Sequence, residues 1–490
     1  MTDTPFPDAV FDGLAPAPVW AHFATLCRIP RPSKGEAPLR EHLRRWAAGR
    51  GLAATVDGAG NLIIRKPATP GRENAPGVIL QAHLDMVCQK NAGTAHDFAR
   101  DPIRPLLRDG WLVAEDTTLG ADNGIGAALI LALLEDAETP HGPIEALFTV
   151  DEEAGMGGAR GLAPGVLAGR LMLNLDTEDW GEFYLGCAGG LDVNVARPGA
   201  AEPLPAGFAP WRIDLRGLRG GHSGVDIHLE RGNAIKLLVR LLRGLESRFS
   251  VRLCALEGGS ARNALPREAF ATIALPAAHG DALAGLLAEW QTRLRQELAG
   301  VDEGLTLACR PDSAERVMAP REQAVWLNSL HAAPHGVRRW SRQVPGVVET
   351  SNNLGMVALA PAGGSCNFMV RSLTDSGATA LADEIESLFA LSGTAVEKSG
   401  HYPGWAPNPA SPLLALCRSV YERNFGGEAE VKVIHAGLEC GIIGAKYPGL
   451  DIVSFGPTIR GAHAPGEAVD IASVGRAWRL LTAILAAAAA

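Results

Sequence analysis

Short apolar runs recur along the first part of the chain, and each is followed by an acid or a histidine. Val78-Ile79-Leu80-Gln81-Ala82 leads into His83 and Asp85. Ile144 to Val150 leads into Asp151-Glu152-Glu153, and Leu171 to Leu175 leads into Asp176. Near the C-terminus, Ile452 to Phe455 precedes a loop that carries His463. Runs of this length, rich in branched residues, predict strands of a parallel sheet buried on both faces. Between them lie stretches with helical spacing. Val19, Phe23, Leu26 and Cys27 share one face, and Leu39 to Ala48 follows a Pro-rich loop. An apolar helix opens at Leu119-Gly120-Ala121-Asp122 and runs to Leu134, and a terminal helix starts near Ile471. Leu52–Val56 and Leu62–Arg65 read as strands around the turn Asp57-Gly58-Ala59-Gly60-Asn61.

The pattern changes near Cys187-Ala188-Gly189-Gly190. From about Leu191 to Ser399, strand-like stretches alternate with amphipathic helices, first at Asn233–Phe249 and Asp281–Leu298. A similar round follows, with helices at Ala324–Leu330 and Ala378–Ala390 and strands near Val347–Ser351 and Ser365–Arg371. Helices that cover one face of a sheet predict an α+β domain of two similar halves. The α/β character returns at Gly400. The expected organisation is therefore one α/β domain with a mainly parallel sheet flanked by helices, built from 1–187 and 400–490. An α+β domain at 188–399 interrupts it.

Length and composition narrow the class. A chain of 490 residues exceeds one ordinary core. Hydrophobic residues make up 47% and charged residues 20%, with a formal net charge of -9. No basic footprint for nucleic acid is present, and no window of about 20 apolar residues reads as a membrane span. The first eight residues carry no basic or apolar signal region, so no secretory leader is expected. Eight scattered cysteines without a C-x-x-C pair read as reduced thiols of a cytoplasmic protein, none a metal ligand.

The candidate chemistry lies at the ends of the apolar runs. His83, Asp122, Glu153, Asp176 and His463 are two imidazoles and three carboxylates, a donor set that suits zinc, with manganese or cobalt as alternatives. Asp122 taken alone reads first as a helix N-cap. Asp151-Glu152-Glu153 alone would suit a solvated turn, although a cation would relieve its repulsion. Open α/β sheets bind ligands where strand ends converge. The H-E-x-x-H, G-x-S-x-G and P-loop patterns are absent.

The segments AHLDMV (82–87), LGADNGIG (119–126), TVDEEAGMGG (149–158), LNLDTED (173–179), RGGHSG (219–224), ARNALPRE (261–268), HAGLECG (435–441) and GPTIRGAHAPGE (456–467) resemble the M20 family of di-zinc peptidases, and most closely its bacterial dipeptidases. The resemblance spans nearly the whole chain. It implies that His83, Asp122 and Asp176 hold one zinc, and that Asp122, Glu153 and His463 hold the other. It makes Glu152 the general base and Asp85 the partner of His83. It makes the inserted domain a lid whose His222 stabilises an oxyanion and whose Asn263 and Arg371 bind substrate. The implied activity is hydrolysis of unblocked dipeptides, Xaa-His dipeptides among them. The implied partner is a small peptide, with no nucleic acid and no membrane, and a homodimer is allowed for. An N-acyl-amino-acid amidohydrolase and a non-catalytic peptide- or metal-binding protein are the rival readings. His435 and Glu439 are expected to wall the pocket.

Overall fold

The computed structural model describes residues 6–490. The first five residues of the N-terminal stretch read above for a leader lie outside them. The chain divides into two compact units. The first comprises Met1–Gly186, Pro407–Val433 and Leu438–Ala490; the second comprises Cys187–Ala406 and Ile434–Gly437.

An eight-stranded sheet organises the first unit. Its centre is parallel: Val78–His83 pairs with Ile144–Thr149 on one side and Leu171–Asn174 on the other. Asp451–Ser454 extends the parallel set beside Leu171–Asn174. These central strands are almost wholly buried, as continuous apolar runs require. The flank is antiparallel, because the turn at 57–61 folds Ala53–Val56 back onto Leu62–Lys66. The long stretch 89–118 contributes a hairpin to a four-stranded sheet with Ile459–Arg460 and Ala468–Asp470. That small sheet brackets the loop carrying His463. The terminal helix Ile471–Ala488 buries Val474, Leu481, Ile484 and Leu485.

The second unit is one mainly antiparallel sheet of nine strands. It contains the same topology twice. Phe208–Arg216, helix Ala234–Glu246, Arg252–Gly258, Ala269–Pro276, helix Gly280–Glu297 and Thr306–Pro311 form one βαββαβ half. Gly189–Pro198, helix Pro320–Ala332, Val348–Ala360, Gly363–Ser372, helix Asp375–Ala390 and Ala395–Tyr402 form the other. In both halves the last strand pairs with the first, the first with the third, and the third with the second. The halves join where Leu256 faces Leu359 and Gly258 faces Val357. The first half lies in sequence between the first strand and the first helix of the second.

One apolar core serves both halves. Leu238, Leu242 and Leu245 descend from one helix onto Ile213 and Ile273, while Trp326, Leu381, Ile385 and Phe389 cover Phe368. Asn233 caps the helix Ala234–Glu246 by accepting from the Lys236 N–H. Trp326 is fully buried and meets Phe389 edge to face. Trp326→Ala is expected to destabilise the second unit by about 3–5 kcal/mol. A urea midpoint unchanged from wild type would contradict this.

Candidate metal centre

Three adjacent strand ends supply part of the site. In register, His83 ends its strand opposite Thr149, so Glu152 and Glu153 follow immediately beside it. Asp176 follows Leu171–Asn174 on the other side. Two loops supply the rest. Asp122 belongs to the start of the helix Ala121–Glu135 but has non-helical backbone angles, and Gly120 occupies the N-cap position. The cap reading of Asp122 therefore gives way. His463 sits in its loop with φ of 65°, in the left-handed region that non-glycine residues rarely adopt.

The side chains of the five proposed ligands come together. His83, Asp122 and Asp176 offer donor atoms within 4.8 Å of one another, and so do Asp122, Glu153 and His463. Asp122 divides its oxygens. Its Oδ1 lies 3.2 Å from His83 Nε2, and its Oδ2 lies 3.1 Å from His463 Nε2. Asp176 Oδ1 is 3.4 Å from His83 Nε2, and Glu153 Oε2 is 3.2 Å from His463 Nε2. Asn123 Nδ2 donates to Asp176 Oδ1. Among the described residues, Glu153 Oε1 is buried without a hydrogen-bond partner, which suits a cation ligand. Glu152 can also join His83 and Glu153 in a three-donor group.

Asp85 ties these elements together from behind. Its carboxylate accepts from the N–H groups of Glu152 (3.0 Å) and Glu153 (3.1 Å) and from Ser33 Oγ (2.8 Å). His83 Nδ1 lies 3.2 Å from the Asp85 main-chain oxygen and 3.4 Å from its Oδ1. The ring hydrogen is thus held on Nδ1, leaving Nε2 to face Asp122 and Asp176. Burial would raise the Asp85 carboxyl, but His83 and these donors bring it down to about 2.

The remaining electrostatics follow from crowding. Burial raises Asp176 to about 6, with Asp122 and Glu153 adding to the rise against His83. Burial raises Glu152 well above the ordinary carboxyl range; Asp176, Glu439 and Glu153 add to this against His83. Burial lowers His83, but Asp176, Asp122 and Asp85 together hold its proton well above the usual imidazole range. Hydrogen bonds to Asp122 and Glu153 push His463 up to about 11. In the metal-free chain, protons on the imidazoles balance charge that divalent cations would otherwise balance.

The second unit holds a separate cluster. Gly221 and His222 pair with Leu265 and Ala264, and Ser223 N–H donates to the Asn263 carbonyl, so His222 and Asn263 are neighbours. His222 Nδ1 accepts from the N–H groups of Gly224 (3.2 Å) and Val225 (3.0 Å). Its hydrogen therefore sits on Nε2. Burial and the Arg371 charge lower His222 to about 4, so it is a neutral donor at pH 7. Arg371 is buried and bonds Tyr402 Oη at 3.0 Å, and its Nη2 lies 3.4 Å from His222 Nε2. Two donors thus converge, as an anionic group would require. His435 bonds Ser351, which pairs across strands with Arg371. Gly224 permits the close approach of the His435 carbonyl, since a Cβ would collide with it. Glu439 is buried in the first unit against Gln81 and Thr149. Ser33, Ser223 and Tyr402 were not singled out by sequence. Ser33 and Tyr402 are isolated polar residues, Ser223 appears only within the segment RGGHSG, and the partner of each comes from a remote segment.

A set of histidines and carboxylates gathered from the strand ends and neighbouring loops of an α/β sheet, with a doubled α+β insertion, is the arrangement of a metallohydrolase. The chain belongs to peptidase family M20/M25/M40, whose model matches residues 79–487. It is 46% identical over 475 residues to the cytosol non-specific dipeptidase of Escherichia coli (strain K12), covering 96% of this chain and 98% of that protein. The crystal structure of aminoacylhistidine dipeptidase from Vibrio alginolyticus matches with a TM-score of 0.89 and 46% identity, covering 97% of each chain. Aminopeptidase PepT from Bacillus cereus has the same fold, with a TM-score of 0.57 and 17% identity over 97% of this chain and 100% of that one.

Cations need neutral imidazoles, so their binding must displace the protons on His83 and His463. Both groups are raised in the metal-free chain, so affinity is expected to rise with pH. Calorimetry of zinc binding at pH 7 in buffers of different ionisation enthalpy should read net release of protons. Binding without proton release would overturn this account of the metal-free site.

Proposed function

We propose that this protein hydrolyses the peptide bond of unblocked dipeptides, Xaa-His dipeptides among them, at a centre of two zinc ions, with manganese or cobalt as alternatives. The observation that carries this reading is Asp122, which turns one oxygen to each histidine between two three-donor sets. The 46% identity to a protein named a cytosol non-specific dipeptidase, over 98% of its length, supports the substrate class and a cytoplasmic location.

His83, Asp122 and Asp176 would hold one ion, and Asp122, Glu153 and His463 the other. Bound divalent cations supply Lewis acidity at the scissile carbonyl. Glu152 accepts a proton from the attacking water and returns it to the leaving amine. Its protein environment raises its pKa, as a base that must later act as an acid requires. Asp85 orients His83 and, through the N–H groups of Glu152 and Glu153, the turn that carries the base. In the second unit, the lid of this reading, His222 presents a fixed Nε2–H to a developing oxyanion. Arg371 offers its fork to the substrate carboxylate, and Asn263 bonds the substrate backbone. With two halves in one chain, His222 acts without a partner subunit. A monomeric preparation is therefore expected to be active, and a homodimer is not required.

The test is hydrolysis of Ala-His, β-Ala-His, Gly-Leu, a tripeptide and N-acetyl-Ala by chelated and zinc-restored protein. Dipeptides alone should be cleaved, and only after metal return. Turnover of the acetylated compound alone would move the assignment to an amidohydrolase. Tight binding of dipeptide without turnover would mark a binding protein. Glu152→Gln should lower kcat by about 10²–10⁴-fold with metal retained. His222→Ala should lower kcat by about 10²–10³-fold. A kcat within a few-fold of wild type in either variant would remove that residue from its role.

A further inference from the structure

Two buried, oppositely charged side chains close to the centre have no part in the chemistry above. Glu467 and Arg31 are each 2% exposed. The Glu467 carboxylate takes four main-chain N–H groups in a row. Its Oε2 accepts from Leu119 (2.7 Å) and Gly120 (3.0 Å), and its Oε1 accepts from Ala121 (2.7 Å) and Asp122 (3.2 Å). Arg31 approaches the same segment through a carbonyl. Its Nη2 donates to the Gly120 oxygen at 2.5 Å, while Nη1 donates to the Leu84 and Asp85 oxygens, both at 2.9 Å.

We propose that Arg31 and Glu467 form a two-sided clamp that sets the position of Asp122 and thereby the metal affinity of the centre. The inference rests on the metal-centre reading above. Gly120 is gripped on both edges, its N–H by Glu467 and its carbonyl by Arg31. The clamp also joins three ligand-bearing segments. Arg31 connects the 84–85 segment that follows His83 to the 119–122 segment that presents Asp122. Glu467 connects that segment to the loop containing His463, four residues before it in sequence. The strand-end ligands need no such device, because the sheet ladder fixes them. Asp122 and His463 lie on loops, and Asp122 must serve two histidines at once. A loop that shifts by a fraction of an ångström would lose one partner or the other.

Local sequence makes room for the clamp. Gly120 has φ of 69°, and a Cβ there would collide with the Arg31 guanidinium and Met86. A Cβ at Gly124 would also strike Arg31. Neither Arg31 nor Glu467 touches a reacting group, so both are positioning residues. The chemistry is specific to their type. Glutamine in place of Glu467 would aim an NH₂ group at two N–H donors, leaving buried donors unsatisfied in an isosteric side chain. Lysine in place of Arg31 keeps the charge but loses the planar fork that spans the carbonyls.

The experiment measures zinc affinity by competition with a chromophoric chelator, alongside the urea midpoint of each metal-free protein. The variants are Glu467→Gln, Arg31→Lys and, as a control, Glu145→Gln. Glu145 is likewise buried and accepts from the N–H groups of Ala168 and Gly169, but holds a segment that bears no ligand. Folded Glu467→Gln and Arg31→Lys should bind zinc about 10–100-fold more weakly than wild type, as loss of outer support for a metal ligand does. Glu145→Gln should lower the midpoint and leave zinc affinity within about twofold of wild type. If Glu467→Gln does not fold, Arg31→Lys carries the same readout. Wild-type affinity in the folded clamp variants would overturn the clamp. Equal weakening by Glu145→Gln would also overturn it, by reducing the effect to general stability. A wild-type protein that binds no zinc would instead overturn the metal-centre reading itself.

Discussion

Repulsion among carboxylates is the constraint around which the first unit is arranged. Asp85, Asp122, Glu152, Glu153 and Asp176 converge on two imidazoles, one at the end of a buried strand and one on a loop. Burial raises the cost of every charge there, and each carboxylate raises the cost of its neighbours. The fold answers with hydrogen-bond donors where it can. Asp85 is answered in full by two main-chain N–H groups, Ser33 and the His83 ring. Asp122 and Asp176 are answered only in part, and Glu153 Oε1 has no hydrogen-bond partner among the described residues. What remains is negative charge aimed inward at open donor positions, which divalent cations neutralise.

The two kinds of proposed ligand differ in what fixes them. His83, Glu153 and Asp176 sit at or just beyond paired parallel strands, so hydrogen-bond registers place them and buried apolar runs keep those registers from slipping. Asp122 and His463 have no such ladder beneath them. Their loops are held instead by charged side chains that bond main-chain groups, and by the small sheet of Trp111–Val113 with Ala468–Asp470. The proposed metal centre therefore divides into a half set by the core and a half set by buried polar contacts.

That division decides what could be read from the sequence. His83, Glu153 and Asp176 were legible because the hydrophobic pattern that makes a strand also marks its end. The turn at 57–61 announced the antiparallel flank, although the sheet is parallel only at its centre. Asp122 was ambiguous. A carboxylate at the start of an apolar helix reads first as a cap, and only the non-helical backbone at Asp122 and Asn123 separates the two. Arg31 and Tyr402 left no readable trace, and Glu467 appeared only as the end of the segment GPTIRGAHAPGE, because their partners are remote backbone atoms or single side chains that no periodicity encodes. In the second unit, the strands Val348–Ala360 and Gly363–Ser372 are longer than their apolar cores. Polar residues such as Thr350, Asn353 and Asn367 lie within these strands and pair inside the unit rather than facing water.

The duplicated second unit is symmetrical in topology but not in chemistry. His222 and Asn263 belong to the half that is inserted, and Arg371 to the half that receives it. The strand matching the one that ends in Arg371-Ser372 ends instead in Leu275-Pro276, with no cation to offer. The segment matching the His222 loop, between the first strand and first helix of the receiving half, is where the other half enters the chain. Neither half could assemble the cluster from its own residues. The pairing of Arg252–Gly258 with Val348–Ala360 joins the two halves into one sheet. In the same unit, the imidazole of one half lies beside the guanidinium of the other. Doubling the topology has thus produced one donor pair per chain rather than two. The main-chain N–H groups of Gly224 and Val225 fix the direction of its neutral member.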